Sequence, residues 1–175
     1  MNAANGGKKM RVRVATTKDL QGLDALLERS YSSQMPLVYA ADVLALALPA
    51  MTRANPDLVA SGTFYVAETA GSIVGCGGWS STPPGGGATV DGLVHARHFA
   101  VDSDRAGAGI GRAIFQRVSN DACAVGAVRI QALSSLNAEP FYKRMGLDPL
   151  DLISVPMGPG IKFPVVRMEG PLPTP

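Results

Sequence analysis

Val101-Asp-Ser-Asp-Arg-Ala-Gly-Ala-Gly-Ile-Gly-Arg112 is the stretch on which the reading of this chain turns. The apolar run Phe99-Ala-Val101 leads into it and reads as the end of a strand. Behind it, Ile110, Ala113, Ile114 and Val118 recur at helical spacing. Strand, glycine-rich turn and helix in that order expose several backbone N–H groups at a helix start. Such a start combines unsatisfied donors with the positive end of the helix dipole, and so suits phosphate oxygens. Gly107, Gly109 and Gly111 have no side chain to hold a phosphate off the backbone. A Walker loop needs Gly-Lys-Ser/Thr after its spacer, and the chain offers Gly111-Arg112-Ala113, so that reading fails. A dinucleotide loop needs a third glycine where Arg112 sits and an acid about 20 residues on; that region reads Val128-Arg-Ile-Gln131, without a carboxylate.

A second stretch follows in the order Ser134-Ser-Leu-Asn-Ala-Glu-Pro-Phe-Tyr-Lys-Arg-Met-Gly146. With it, the loop resembles the paired signatures of the GCN5-related N-acetyltransferases, the large acetyl-CoA-dependent family. That family's pyrophosphate loop reads Arg/Gln-x-x-Gly-x-Gly/Ala after a strand, and its later signature Asn-Ala-x-x-Phe-Tyr-x-x-x-Gly. Gly109 and Gly111 take the two glycine places, and Asn137, Phe141, Tyr142 and Gly146 match the second motif. Ala106 stands where Arg or Gln is usual and Arg105 lies one place early, which leaves the backbone donors as the main support for the pyrophosphate. The resemblance covers roughly residues 10 to 169. It implies an α/β fold: a mixed, mostly antiparallel sheet of about six or seven strands flanked by about four helices. A splayed pair of parallel strands, Asp91 to Val101 and Val128 to Leu133, would receive the pantetheine arm of acetyl-CoA. The implied cofactor contacts are Phe99, Ala100 and Val101 on the strand. They continue through Arg105, Ala106, Gly107, Ala108, Gly109, Ile110, Gly111 and Arg112 in the turn and helix, then Asn137 and Tyr142.

Composition sets the outer bounds. A chain of 175 residues is one domain with room for a real core. A formal charge of +2, with 17% of residues charged, gives no basic excess that would argue for nucleic acid as a partner. Cys76 and Cys123 are too few for a disulfide framework or a zinc site and read as small buried apolar residues, in keeping with a reducing, cytoplasmic setting. Met1 to Lys9 lack an apolar core and read as a disordered leader rather than a secretory signal. The longest apolar run, Leu37 to Met51, carries Asp42 and Pro49 and is too short to span a bilayer, so no membrane partner is expected. The resemblance leaves a homodimer open.

Along the chain, Met10 to Ala15 alternates as a strand. A helix capped by Thr16 or Thr17 carries Leu20, Leu23, Leu26, Leu27 and Tyr31 on one face. A second helix is expected over Tyr39 to Leu48, interrupted or ended at Pro49. Tyr31, Met35, Tyr39 and Met51 read first as core, with contact to an acceptor the competing role. Thr63 to Glu68 and Ile73 to Trp79 form a hairpin around Thr69-Ala-Gly-Ser72. Gly75, Gly77 and Gly78 suggest a bulge or close backbone approach within the second strand, and Trp79 reads as core. Ser80 to Val90 is a surface loop. Leu152 to Val155 and Phe163 to Met168 close the sheet, and Gly170 to Pro175 reads as a loose tail.

Acetyl transfer to an amine requires that an ammonium of pKa about 10.4 lose a proton and that the leaving thiolate gain one. The family often supplies a glutamate base from the central strand. This chain has His95 and His98 there, with the pKa range suited to a base. His95 lies about where that acid would fall. His98 lies on the opposite face under regular alternation, an assignment that a bulge would change. Glu68 and Asp91 are weaker candidates, and a water chain is a further route. Tyr142 matches the family tyrosine that protonates the thiolate. Asn137, at the expected start of a helix to Met145, is both a cap and a contact to the cofactor arm. No serine or cysteine sits in a nucleophile setting, in keeping with direct transfer in a ternary complex to a primary amine of a small molecule. Two rivals share the fold: a protein or peptide N-acetyltransferase and a non-catalytic acyl-CoA sensor.

Overall fold

The computed structural model describes residues 9–173. Strand β1 (Arg11–Val14) is followed by helices α1 (Leu20–Gln34), α2 (Ala41–Met51) and α3 (Pro56–Val59), and then by strands β2 (Phe64–Thr69), β3 (Ser72–Ser80) and β4 (Leu93–Val101). Helix α4 (Ile110–Ala124), strand β5 (Arg129–Ser134), helix α5 (Glu139–Arg144) and strands β6 (Asp148–Pro156) and β7 (Lys162–Pro171) complete the chain. The seven strands form one sheet in the order β1-β2-β3-β4-β5-β7-β6, antiparallel throughout except for β4 beside β5. The α/β fold and its mixed sheet are therefore as expected, with α3 an addition. Asn55 caps α3, accepting from the N–H groups of Asp57 and Leu58 at 2.9 and 3.2 Å, and Pro56 sits in its first turn. That Asn-Pro pair is a helix-start signal in the sequence.

Two apolar layers sandwich the sheet. Against one face α4 buries Ile110, Ile114, Phe115, Val118 and Ala122 onto Tyr65, Val74, Val94, Ile130 and Met168. Against the other, Leu23, Leu26 and Leu27 of α1 cover Phe64, Val66, Cys76 and Ala100. On that same side Leu44 and Ala47 of α2 cover Phe163 and Val165. Each fully buried leucine or isoleucine contributes roughly 1.5–3 kcal/mol, so these stripes, rather than local propensity, hold the helices in place.

Three expectations need correction. Helix α2 runs through Pro49 instead of stopping there, because Leu44, Ala47, Leu48 and Met51 keep a continuous apolar stripe across it. The last turn is closed by the N–H and hydroxyl of Thr52, both donating to the Leu48 carbonyl at 2.9 Å. The tail is not loose at Gly170: β7 continues to Pro171, and Leu172 is buried with its N–H donating to the Val128 carbonyl at 2.8 Å. Asn137 does not cap a helix reaching Met145; it lies inside a 3-10 turn, Leu136–Ala138, that precedes α5. The leader expected over residues 1–9 lies outside the described residues except for Lys9. Among the described residues, no helix is long and apolar enough to cross a membrane.

Candidate active site

The sheet opens at its centre. Strand β4 pairs with β5 only through Leu93, Val94 and His95, opposite Arg129, Ile130 and Gln131; beyond His95 the two parallel strands diverge. Strand β4 also bulges against β3. Cys76 faces Ala100 and Gly78 faces Arg97, so His98 and Phe99 together oppose the single residue Gly77. His98 takes the left-handed backbone conformation, φ 48°, that such an insertion requires. The conditional reading of His98 thus resolves: the bulge breaks the alternation, and His98 lines the cavity that the splay creates.

That cavity, about 470 Å³, is bordered by Tyr31 and Met35 of α1 and its following turn, Met51 of α2, residues Ala96 to Phe99 of β4, Leu133, Tyr142, and Val155 to Met157 with Phe163 and Val165 of the closing strands. Of the acceptor-side candidates, Tyr31, Met35 and Met51 therefore reach it. Tyr39 does not: it stacks on Phe163 at 4.4 Å, donates to the Pro164 carbonyl and accepts from the Leu136 N–H, which makes it a structural tie. Trp79 is buried in the core on the α4 side. Pro84 and Gly85 bring the glycine-rich loop to the cavity mouth.

Tyr142, only 6% exposed, stands at the inner end, its ring edge-on to Phe99 at 6.0 Å. Burial pushes its hydroxyl pKa up, and neighbouring Cys76 adds to the effect. Tyr31 is raised likewise, first by burial and then by Cys76 and Tyr142, and its hydroxyl lies 3.5 Å from the Phe99 carbonyl. Burial against α1 pushes the Cys76 thiol up to about 12. His98 is pushed down to about 4 by burial and then by Arg97. His95 is also lowered, first by burial and then by Arg97, but it is 5% exposed in the strand row between Ser80 and Gln131 and does not border the cavity. Glu68 lies on β2, two strands away from β4, paired with Arg13 at 2.9 Å, and Asp91 is exposed before β4. No carboxylate borders the cavity among the described residues.

The glycine-rich turn sits where β4 ends. A 3-10 turn, Ser103–Arg105, leads into exposed residues 104–109 and then α4, which Gly109 opens at φ 79°. The N–H groups of Ala106, Ala108 and Ala113 are used within the turn. Those of Gly107, Gly109, Ile110, Gly111 and Arg112 have no acceptor among the described residues. Nothing lies within 4 Å of the side-chain positions of Gly107 and Gly109, so the cradle is open. Gly111 differs: a Cβ there would sit 2.9 Å from the Phe141 ring, which is how α4 and α5 come close enough to bring Tyr142 beside the splay. Arg112 is exposed on α4, and Arg105 turns toward a polar depression with Arg29 and Asp102. Asn137 spends its amide on Gln34 at 3.4 Å, while its buried Oδ1 has no partner. Open amides at the turn fit a diphosphate, and a buried acceptor without a partner fits an amide-bearing arm.

A family model described as an acetyltransferase (GNAT) domain matches residues 60–146, from the start of β2 through the end of the Phe-Tyr motif. Residues 60–146 carry the domain of the GCN5-related N-acetyltransferases. A GCN5-related N-acetyltransferase from Rhodopseudomonas palustris superposes with a TM-score of 0.71 at 17% identity, covering 98% of this chain and 100% of that one. The PaiA N-acetyltransferase of Thermoplasma acidophilum, in complex with coenzyme A, gives 0.70 at 11% identity, over 93% and 99% of the two chains. N-acetylglutamate synthase from Neisseria gonorrhoeae, complexed with coenzyme A and N-acetylglutamate, gives 0.60 at 14% identity, over 94% of this chain and 35% of that one. No curated protein sequence matches the chain. Within this GCN5-related fold, the residue that sequence reading overlooked is Arg97. A permanently charged residue in the mainly apolar strand run Leu93-Val-His-Ala-Arg-His-Phe-Ala-Val101 was the available signal.

Proposed function

We propose that the chain is an acetyl-CoA-dependent N-acetyltransferase that acts directly on a primary amine of a small molecule, with donor and acceptor bound together. The observation that supports this most is the set of partnerless amides at residues 107 and 109–112, continuous with a strand opening that ends beside Tyr142. Acetyl-CoA supplies the thioester: the amine nitrogen bonds to its carbonyl carbon, the carbon–sulfur bond breaks, and the departing thiolate takes a proton. The loop amides hold the diphosphate, and the Asn137 Oδ1 accepts from an amide of the arm.

Tyr142, its pKa raised by burial, carries its proton at neutral pH and donates it to the thiolate. Against a free thiol of pKa about 8.5 that transfer is uphill. Burial that raises Tyr142 raises a thiol as well, as Cys76 at about 12 illustrates, and this narrows the gap. On the acceptor side the burial and Arg97 charge that keep His98 neutral also favour an uncharged amine. The amine then needs little from a strong base, and His98 or water takes its proton.

The test is release of free CoA across a panel of amines, with Tyr142→Phe alongside. The expected result is a fall in kcat of tenfold or more with acetyl-CoA affinity within about twofold of the parent. Equal loss of both would make the tyrosine structural. Binding of acetyl-CoA with no amine turned over would favour a sensor.

A further inference from the structure

The cavity described above has an electrostatic asymmetry. Its walls are mainly apolar, with Met35, Met51, Val155, Phe163 and Val165 among them. Its charged side chains are both arginines, Arg53 and Arg97, and no acidic residue balances them from the lining. Arg53 is at the mouth, 76% exposed, and is held by Asp24 at 3.0 Å. Arg97 is different. It is half-buried on β4 immediately before the bulge, and Nη1 donates to the Ser80 hydroxyl at 2.9 Å. A guanidinium has five N–H donors and stays charged in proteins. The remaining four have no acceptor among the described residues.

Every other basic side chain without a carboxylate partner among the described residues, namely Lys9, Lys18, Arg105, Arg112, Arg144 and Lys162, is exposed and solvated. Among the described residues, Arg97 alone is both withdrawn from solvent and without an anion. Its pKa is lowered by that desolvation, a cost that a bound anion would relieve. A polycationic acceptor would meet the opposite: two positive charges and no carboxylate to receive it.

We infer that the acceptor is an amino-acid-type molecule, bearing a carboxylate that Arg97 binds and an apolar remainder seated between α2 and the closing strands. The inference rests on the acetyltransferase reading and specifies its acceptor class. The planar fork of Arg97 suits a carboxylate bound through two parallel hydrogen bonds. Such a contact would fix the molecule with its amine facing the bulge.

The experiment compares L-methionine and L-phenylalanine with their methyl esters, the matching decarboxylated amines, spermidine and an alanine-initiated peptide, all with acetyl-CoA and free-CoA detection. The free amino acids are expected to exceed their esters at least tenfold in kcat/KM, the difference lying in KM. In Arg97→Gln that ratio should fall toward one, with Arg97→Lys in between, while acetyl-CoA affinity and melting temperature show that the fold persists. Turnover confined to spermidine or the peptide, or an unchanged ratio in Arg97→Gln, would overturn the inference while leaving acetyl transfer intact. If no amine is acetylated the acetyltransferase reading fails, and thermal shift with coenzyme A plus N-acetyl-L-methionine or N-acetyl-L-phenylalanine decides the carboxylate site separately. Stabilisation that disappears in Arg97→Gln upholds that site, and its absence with the parent protein removes it.

Discussion

His98 is neutral at pH 7, because burial and then the Arg97 guanidinium push its pKa down to about 4. In the unfolded chain the same imidazole titrates near 6.5. Between those values the unfolded state binds a proton that the folded state refuses, so stability rises with pH across that window. The contribution is complete above 6.5 and is lost as pH falls toward 4, to about 3 kcal/mol at most. His98→Asn should therefore flatten the dependence of melting temperature on pH between 6.5 and 4, since asparagine tolerates the φ of 48° found there. His95, lowered in the same direction, remains in the variant as a residual slope. Asp19 acts lower down: Arg13 holds it at about 2, so its share is lost only below about 3.8. Parallel curves for parent and variant would assign the acid sensitivity to other groups. The sequence made His98 a candidate through its residue type. Its direction into the cavity depended on one inserted residue opposite Gly77, which no periodicity reveals.

Among the elements, the strand–turn–helix around residue 110 was legible because each part is written locally: an apolar strand end, glycines at positive φ, then helical spacing. The glycines nevertheless act differently, and substitution should separate them. Gly109→Ala meets open space but keeps φ 79°, a strain of about 1–2 kcal/mol placed on the turn itself. Gly111→Ala has an ordinary helical backbone but brings Cβ to 2.9 Å from Phe141, pressing on the short helix that carries Tyr142. Calorimetry with coenzyme A should show several-fold weaker binding for the first variant with kcat little changed. Turnover of the second should fall several-fold, with affinity changed less. The reverse pattern would mean that Gly111 serves the diphosphate and Gly109 only the turn. The course of α2 through Pro49 was less legible, because its contacts with Phe163 and Val165 lie more than a hundred positions along the chain. Local propensity at a proline favours a stop, and distant packing reversed it.

For the whole molecule, the splay is a question of what holds β5 in place once β4 lets go of it. Strand β5 pairs with β4 over three residues but with β7 over all six, from Arg129 opposite Pro171 to Ser134 opposite Val166. Its position therefore comes chiefly from the closing strands, and the last link in that clamp is Leu172, 5% exposed and bonded to Val128 just before β5 begins. Sequence reading put a loose tail there because Gly-Pro-Leu-Pro has neither period nor propensity; the constraint is tertiary and becomes visible only when the sheet order is known. Leu172→Ala should cost about 2–4 kcal/mol, a fall in melting temperature of roughly 5–15 °C for a domain of this size. Leu152→Ala is the matched control: at 67% exposure on outer strand β6, it should move stability by no more than about 0.5 kcal/mol. If the clamp also sets the opening, Leu172→Ala should weaken coenzyme A binding at temperatures where the variant is still folded, although Leu172 lines neither the cavity nor the turn. Melting temperatures that coincide for Leu172→Ala and the parent would return the tail to the loose state its composition suggests. The width of the opening would then have to be set by α4 and the turn that joins it to β5.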